Sequence, residues 1–433
     1  MEPLTLGQPS ETQPVTVLIV DDSKSYRHLM AAALTKWGFS VCEAEDGRQA
    51  LQKLNQRSIH IVISDWEMPV MDGVALCQAI RSGDFGHYVY VILVTARQSL
   101  DDLVTGMESG ADDFLSKPVN QSQLRARLHA AERVLTLEST LAARNEKLTF
   151  AYQQIESDLQ VAAKLQHSFL PAHNLLLAGF EFDWMFLPSA YVSGDLLNYF
   201  PLGEYHIAFF SVDVAGHGVS AAMLSLAVLR EFMAGRISSH LLLELSAEGE
   251  KTPVAPHRVV GELNQRFCLD NEQITSYYTL IYGVIDTRNG KGILCQAGHP
   301  TPFIIRADGD RVCVGDGGMP VGLFEEAEYQ DSDFKLDIGD RLYLYSDGII
   351  ECESHSQELY GEQRLQTLLS ENRHLAKDQL FARVENTLNA WRCHEHQPLQ
   401  KTHARLQQPF ADDISLMAVE RIGVATFSRP EQL

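Results

Sequence analysis

No C-x-x-C pair occurs in this 433-residue chain. Its cysteines, Cys42, Cys77, Cys268, Cys295, Cys313, Cys352 and Cys393, are scattered and odd in number. That argues against a disulfide framework and fits a reducing cytosol, so a cytoplasmic location is expected. No apolar run approaches the roughly 20 residues of a membrane span, so no membrane partner is expected. The opening MEPLTLGQPSETQPV lacks the basic and apolar regions of a signal peptide and reads as a short disordered leader. Basic residues are in deficit, 35 Lys and Arg against 57 Asp and Glu, for a net charge of −22. An acidic surface repels nucleic-acid phosphate, and no basic helix-turn-helix segment is present, so a DNA-binding regulator is not expected. Solubility accounts for most of that charge, and part of it should lie in acidic metal pockets. Glycine and proline are missing from Asn120 to Phe169. The remaining composition, 45% hydrophobic and 21% charged, is that of a globular protein, and the length suggests two or three domains.

Over residues 15–130, short apolar runs alternate with segments of helical spacing. Thr16–Val20, Ser40–Ala44, Ile59–Ser64, Val89–Val94 and Asp113–Leu115 are the expected strands. Five βα units in series imply an α/β domain with a doubly wound, five-stranded parallel sheet, whose site lies outside the carboxyl ends of the strands. Asp21 and Asp22 end the first run, Asp65 the third, Thr95 the fourth, and Lys117, followed by Pro118, the fifth. Three carboxylates converging on one point repel one another unless a cation lies among them, and hard oxygen donors suit Mg2+. A lysine and a hydroxyl beside them can hold an incoming phosphoryl group. The expectation is a Mg2+-assisted phosphoryl acceptor with Asp65 as the nucleophile.

VDDS (20–23), SDWEMPVMDG (64–73), VTA (94–96) and SKP (116–118) resemble, in order, the motifs of the response-regulator receiver family. The resemblance implies that Asp65 is the phosphorylation site. It implies that Asp21, Asp22 and the backbone carbonyl of Glu67 join Asp65 in holding Mg2+. Thr95 and Lys117 then contact the phosphoryl group, and Phe114 takes the aromatic switch position. No histidine-kinase segment is present, so a separate sensor histidine kinase is the expected donor.

The glycine- and proline-free stretch places Val134, Leu141, Leu148, Ile155, Ala162 and Phe169 seven residues apart. This predicts a helical linker over 131–170 with a coiled-coil seam. The second seam position is mixed, with Arg144 and Asp158 on one register and Glu138 and Asn145 on the other, as in a stuttered coil. Pairing with a second copy, giving a homodimer through 131–170, is preferred over packing of the helix on its own domains. A continuous helix can carry a phosphorylation signal by rotation or change of register.

Residues 171–422 combine strand-like runs (HIAFFSVDVAG, YYTLIYGVID, GILCQAG, TPFIIRA, RLYLYSDG) with helical segments at about 219–235, 257–271, 361–371 and 376–391. Strands in series with a few long helices imply an α+β layered domain. Aspartates sit where strands end in small-residue turns: Asp195 after Ser193–Gly194, Asp213 in DVAGHG, Asp347 in SDG, and Asp412 and Asp413 in DDIS. Four such sites without a cysteine point to Mg2+ or Mn2+ rather than zinc. A paired site of this type can activate water and clamp an in-line phosphoryl displacement.

LQHSFLP (165–171), VSGD (192–195), DVAGHG (213–218), YTLIYGVID (278–286), AGHPTP (297–302), GMPVGL (318–323), YSDGIIE (345–351), LYGEQRL (359–365) and DDIS (412–415) resemble the PPM-type protein phosphatases, in particular their SpoIIE/RsbU-like branch. The resemblance implies two Mn2+ or Mg2+ ions, with Asp213 bridging them and the carbonyl of Val214, or that of Gly216, assisting. Asp347 and Asp412 complete one ion, and Asp195 serves the other directly or through water. It implies hydrolysis of phosphoserine or phosphothreonine, with a phosphorylated STAS-like anti-sigma-factor antagonist as substrate. The alternative is a pseudo-phosphatase acting as a phosphorylation-controlled adaptor for a sigma factor or other client.

Asn198 stands where the family usually has a second acid, Leu196–Leu197 where it has an aromatic pair, and Gln296 where it has asparagine. His217 and His299 are expected to shape turns rather than move protons. Cys393, His394, Glu395 and His396 read as a solvated loop, and AAMLSLAVL (221–229) as core. The stretches 236–256 and 392–411 read as elaborations for partner recognition.

Overall fold

The computed structural model describes residues 15–96, 104, 106–237, 241–245, 250–270, 276–393 and 410–423. Residues 1–14 of the expected leader, His394, Glu395 and His396, and parts of the stretches 236–256 and 392–411 lie outside the described residues. The chain divides between Gln154 and Ile155 into two compact units.

In the first unit β1 (Thr16–Val20), β2 (Ser40–Ala44), β3 (Ile61–Asp65), β4 (Tyr90–Thr95) and β5 (Asp113–Ser116) form one parallel sheet in the order β2-β1-β3-β4-β5. Alternate residues of β1 enter opposite cores. Leu18 and Val20 pack with Leu54, Leu76 and Ile80, and Val17 and Ile19 pack with Leu34 and Leu128. Burial on both faces is why these strands read as continuous apolar runs rather than alternating ones. The helices α1 (Lys24–Lys36), α2 (Gly47–Gln56) and α3 (Gly73–Ser82) each begin on a polar cap: Ser23, Asp46 and Asp72 accept from the backbone N–H of Tyr26, Gln49 and Ala75. A cap of this kind contributes about 1 kcal/mol and fixes where the chain turns after each strand.

The last helix of this unit does not stop at its edge. Helix α4 (Gln121–His167) runs 47 residues without a break. Its start is anchored by buried Leu124, Leu128 and Ala131, whereas Leu141, Leu148, Ile155 and Leu165 farther along are exposed. Among the described residues no helix is long and apolar enough to cross a membrane.

The second unit is a layered sandwich. One antiparallel sheet has the order β16-β13-β12-β9-β8, built from β8 (Leu196–Leu202), β9 (His206–Val214), β12 (Tyr278–Asp286), β13 (Lys291–Ala297) and β16 (Asp331–Lys335). The other has the order β15-β14-β17-β18-β7-β6, built from β6 (Leu175–Leu177), β7 (Phe180–Leu187), β14 (Phe303–Ile305), β15 (Arg311–Cys313), β17 (Arg341–Tyr345) and β18 (Ile414–Arg421). A short ribbon pairs β10 (Leu243–Leu245) with β11 (Lys251–Pro253).

Helices α5 (Val219–Ile237) and α6 (Pro256–Asp270) pack on the first sheet, where Phe232 stacks on Phe210 at 4.2 Å and meets Tyr282 at 5.4 Å. On the opposite face Gly283 leaves room for the Phe209 ring, since a Cβ there would lie 2.3 Å from it. Helices α7 (Asp347–Ile350), α8 (Glu362–Glu371) and α9 (Lys377–Arg392) form a separate core with Phe303, Tyr343 and Leu416 of the second sheet.

Lys377 joins α9 to that sheet. Its buried Nζ lies 2.6 Å from Glu181 Oε2 and 2.7 Å from Glu420 Oε2, and Arg341 Nε lies 3.1 Å from the same Glu420 oxygen. Removing one partner of a buried ion cluster leaves the rest uncompensated. Lys377→Ala is therefore expected to destabilise the second unit by about 3 kcal/mol, read as a lower urea midpoint.

Candidate functional site

The first cluster lies at the carboxyl ends of β1, β3 and β5. Asp21, Asp22 and Asp65 each place a carboxylate oxygen within 4.8 Å of the others. Lys117 Nζ lies 2.6 Å from Asp65 Oδ2 and 3.0 Å from Asp21 Oδ2. The other oxygen of Asp65 accepts from its neighbour's amide, Trp66 N, at 2.8 Å, and Asp21 Oδ1 accepts from Ser23 N at 2.8 Å. Buried Arg27 donates from Nη1 to the carbonyl oxygens of Asp21 (2.7 Å) and Asp22 (3.2 Å), fixing the turn that presents both acids. Burial raises the Asp65 pKa, and the lysine beside it only partly offsets this. Thr95 is buried at the end of β4, Glu67 is exposed two residues after Asp65, and the Phe114 ring lies 6.3 Å from that of Trp66. Gly73 permits the close turn after β3, because a Cβ there would lie 2.2 Å from the Asp65 carbonyl oxygen.

In the second unit the structure brings Asp195, Asp213, Asp347 and Asp412 together from four separate strand ends. Asp213 is held up to about 10 by burial first and then by the charges of Asp195, Asp347 and Asp412; its carboxyl also bonds to that of Asp347. Asp195 is raised well above the usual carboxylate range by burial, with the charges of Asp413 and Asp347 adding to the effect. Exposure grades across the cluster, from Asp195, which is 1% exposed, to Asp412, which lies open to solvent. The cluster is looser than the first, since among the described residues no three of these four acids bring oxygens within 4.8 Å of one another.

This donor set fits divalent cations. Asp195 Oδ2 is buried and reaches no hydrogen-bond partner among the described residues. Grouped buried carboxylates stay charged together only when cations neutralise them, and an all-oxygen set without cysteine or histidine suits Mg2+ or Mn2+. The backbone contributes as well: a Cβ on Gly194 would lie 3.1 Å from the Val214 carbonyl oxygen and 3.3 Å from that of Gly216, so glycine eases the close approach of the turn before Asp195 to both. Gly348 plays the same part after Asp347, with the Asp413 carbonyl oxygen 2.1 Å from where its Cβ would be.

Two residues that sequence reasoning left without a role hold this arrangement. Asp413 Oδ1 accepts from Ser189 N (2.7 Å) and Ser189 Oγ (2.8 Å), and its Oδ2 accepts from Gly194 N (2.7 Å). Gln166, buried in the last turn of α4, donates to Ser193 O at 2.6 Å and accepts from Ser193 N at 3.0 Å. The helix end thus grips the turn that carries Asp195. The only signals in the sequence were their places in DDIS and LQHSFLP, which name no partner.

The departures in the motifs acquire local explanations. Asn198 donates from Nδ2 to the Phe169 carbonyl at 3.2 Å, tying β8 to the segment after α4. Leu196 and Leu197 are core. Gln296 spans the AGHPTP turn, donating to His299 O (2.6 Å) and Thr301 Oγ1 (3.1 Å) and accepting from Gly317 N (2.8 Å). His299 is enclosed, with Nδ1 2.7 Å from Thr279 Oγ1, and burial pushes its pKa down to about 3, so it is neutral at pH 7 and no proton donor. His217 is exposed in the DVAGHG turn, and Cys393 is partly buried.

The profile of the stage II sporulation protein E (SpoIIE) family matches residues 203–422, and that of the response regulator receiver domain matches residues 17–129. Protein IcfG of Synechocystis sp. (strain ATCC 27184 / PCC 6803 / Kazusa) is 28% identical over 251 residues, covering 54% of this chain and 40% of that protein. Response regulator MprA of Mycolicibacterium vanbaalenii is 36% identical over 138 residues, covering 32% of this chain and 58% of that protein. The chain therefore spans about half the length of these curated relatives. Among solved structures, the SiaA-PP2C domain of Pseudomonas aeruginosa is similar with a TM-score of 0.49 at 18% identity, covering 62% of this chain and 98% of that one. The chemotaxis protein CheY4 of Vibrio cholerae is similar with a TM-score of 0.27 at 33% identity, covering 28% of this chain and 99% of that one.

Asp413→Asn sets an amide nitrogen against either the Ser189 or the Gly194 donors. It is expected to cost about 2 kcal/mol of stability in urea unfolding. By loosening the turn behind Asp195 it should also weaken Mn2+ binding about tenfold in an electron paramagnetic resonance titration.

Proposed function

Since the chain belongs to the stage II sporulation protein E family and carries a response regulator receiver domain, we propose that it is a metal-dependent phosphatase acting on a phosphoserine or phosphothreonine protein, with its rate set by phosphorylation of Asp65. The observation that carries the reading is the convergence of Asp195, Asp213, Asp347 and Asp412, with a buried Asp195 Oδ2 that makes no hydrogen bond among the described residues. Two Mn2+ or Mg2+ ions held by these four acids and the Val214 carbonyl would supply charge stabilisation at the phosphate and acidify a water.

The chain's own residues do the positioning. Asp413 and Gln166 fix the turn before Asp195, Gly348 lets the Asp347 turn approach the Asp412 strand, and the exposed Asp412 side is where a phosphoryl group enters. Neutral His299 orders the AGHPTP turn through Thr279.

In the receiver, Asp65 takes a phosphoryl group from a sensor histidine kinase; Asp21, Asp22, Asp65 and the Glu67 carbonyl would hold a Mg2+ ion that neutralises charge there. Thr95 and Lys117 meet the phosphoryl oxygens, and Phe114 responds as the switch. The grip of Gln166 on Ser193 supports a route by which a shift of α4 alters the Asp195 turn. The exposed heptad positions Leu141, Leu148 and Ile155 support pairing of two copies through residues 131–170. A STAS-like phosphoprotein is the substrate we favour, in a cytoplasmic setting.

Phosphate release from a phosphoserine protein with Mn2+ is expected to fall at least about 100-fold in Asp213→Ala. Equal rates in both proteins would leave a binding adaptor instead of an enzyme. Beryllofluoride, a phosphoryl mimic, is expected to change the wild-type rate about threefold or more and to leave Asp65→Asn unaffected. A wild-type rate that ignores the mimic would remove the coupling.

A further inference from the structure

Tyr26 has no part in the reading above, yet it stands beside Lys117. It occupies the first turn of α1, where its backbone N–H donates to the cap Ser23 Oγ at 3.4 Å. Its ring packs against the core that contains Leu115 and Leu128, and Lys117 Nζ lies 4.9 Å from the ring centroid. The same Nζ bridges Asp65 and Asp21. The Tyr26 hydroxyl is buried and reaches no hydrogen-bond partner among the described residues. A buried phenol normally finds an acceptor, and one that lacks it disfavours the state in which it lies unsatisfied.

Phosphorylation changes what surrounds this group. A carboxylate oxygen of Asp65 attacks the phosphorus of the donor. The bond from phosphorus to the donor's leaving group breaks, and its electron pair departs with that group. Three phosphoryl oxygens, all acceptors, are then attached to Asp65 next to Lys117.

We propose that Tyr26 is a further phosphoryl-contact residue, its hydroxyl donating a hydrogen bond to one oxygen of the phosphoryl group on Asp65 while its ring holds Lys117 in place. The inference rests on Asp65 being the acceptor. The hydroxyl keeps its proton throughout, and no other bond changes. Because the donor is unsatisfied in the resting receiver and satisfied in the phosphorylated one, the difference favours the phosphorylated form. Phenylalanine removes that difference while keeping the ring over Lys117.

The test is equilibrium binding of beryllofluoride in the presence of Mg2+ to the full chain, followed by the fluorescence change of Trp66, the buried neighbour of Asp65. Tyr26→Phe is expected to weaken beryllofluoride binding about fivefold or more, with Mg2+ affinity and thermal midpoint as in wild type. Tyr26→Ala, which also loses the ring, is expected to weaken it further. Wild-type beryllofluoride affinity in Tyr26→Phe would overturn the proposal, and so would an equal loss of Mg2+ affinity, which would mark a general disturbance of the pocket. Asp65→Asn separates the two ideas. Binding to wild type and not to Asp65→Asn upholds the acceptor on which Tyr26 is judged, whereas equal behaviour of those two proteins overturns the Asp65 reading and this inference with it.

Discussion

Carboxylates pressed together in a protein repel one another, and both units of this chain are organised around countering that repulsion. In the receiver a built-in cation does part of the work, with Lys117 spanning Asp65 and Asp21. In the second unit no lysine or arginine among the described residues forms an ion pair with Asp195, Asp213, Asp347 or Asp412. Burial and the charges of Asp195, Asp347 and Asp412 instead raise the Asp213 pKa, to about 10, which opposes ionisation of all four acids together. Divalent cations are the partners that let all four acids ionise together, which is the chemical reason for reading the cluster as a metal centre.

The fold supplies the opposing force that keeps the acids close. Asp195 and Asp412 precede strands, Asp213 lies near the end of β9 and Asp347 opens α7 after β17, and close contacts tie several of these segments together. Asp413 reaches from β18 to the Ser189 and Gly194 amides, and Gly348 meets the Asp413 carbonyl. The two sheets therefore do more than bury a core. Their edges fix the spacing of charges that would otherwise spread apart. Gln166 extends the same network to the last turn of α4, so the linker helix belongs structurally to the turn that carries Asp195.

Much of this was legible in the sequence because the strands of the receiver are apolar on both faces. The bounds of β1 and β2 match the expected runs residue for residue, and the motif aspartates fall at the strand ends. The third strand begins at Ile61, two residues later than expected. His60 lies before it with its Nδ1 accepting from Thr16 N, a bond with a residue 44 positions away that no local pattern announces. The contacts of Asp413 and Gln166 were hidden for the same reason. Their partners lie 219 and 27 residues distant, and only the packing of the sheets brings them into range. The order of the two antiparallel sheets was likewise beyond reach, since it places β18 between β17 and β7.

The central claim is that the acids of the second unit exist to gather cations, and counting bound Mn2+ tests it most directly. Equilibrium dialysis of the full chain with Asp65→Asn and Asp22→Asn in place removes the receiver's contribution. Two Mn2+ ions per chain are predicted to remain, and both should be lost or strongly weakened when Asp213→Ala is added. Retention of the same Mn2+ count and affinity after Asp213→Ala would contradict the account, because the ions would then be held by other groups.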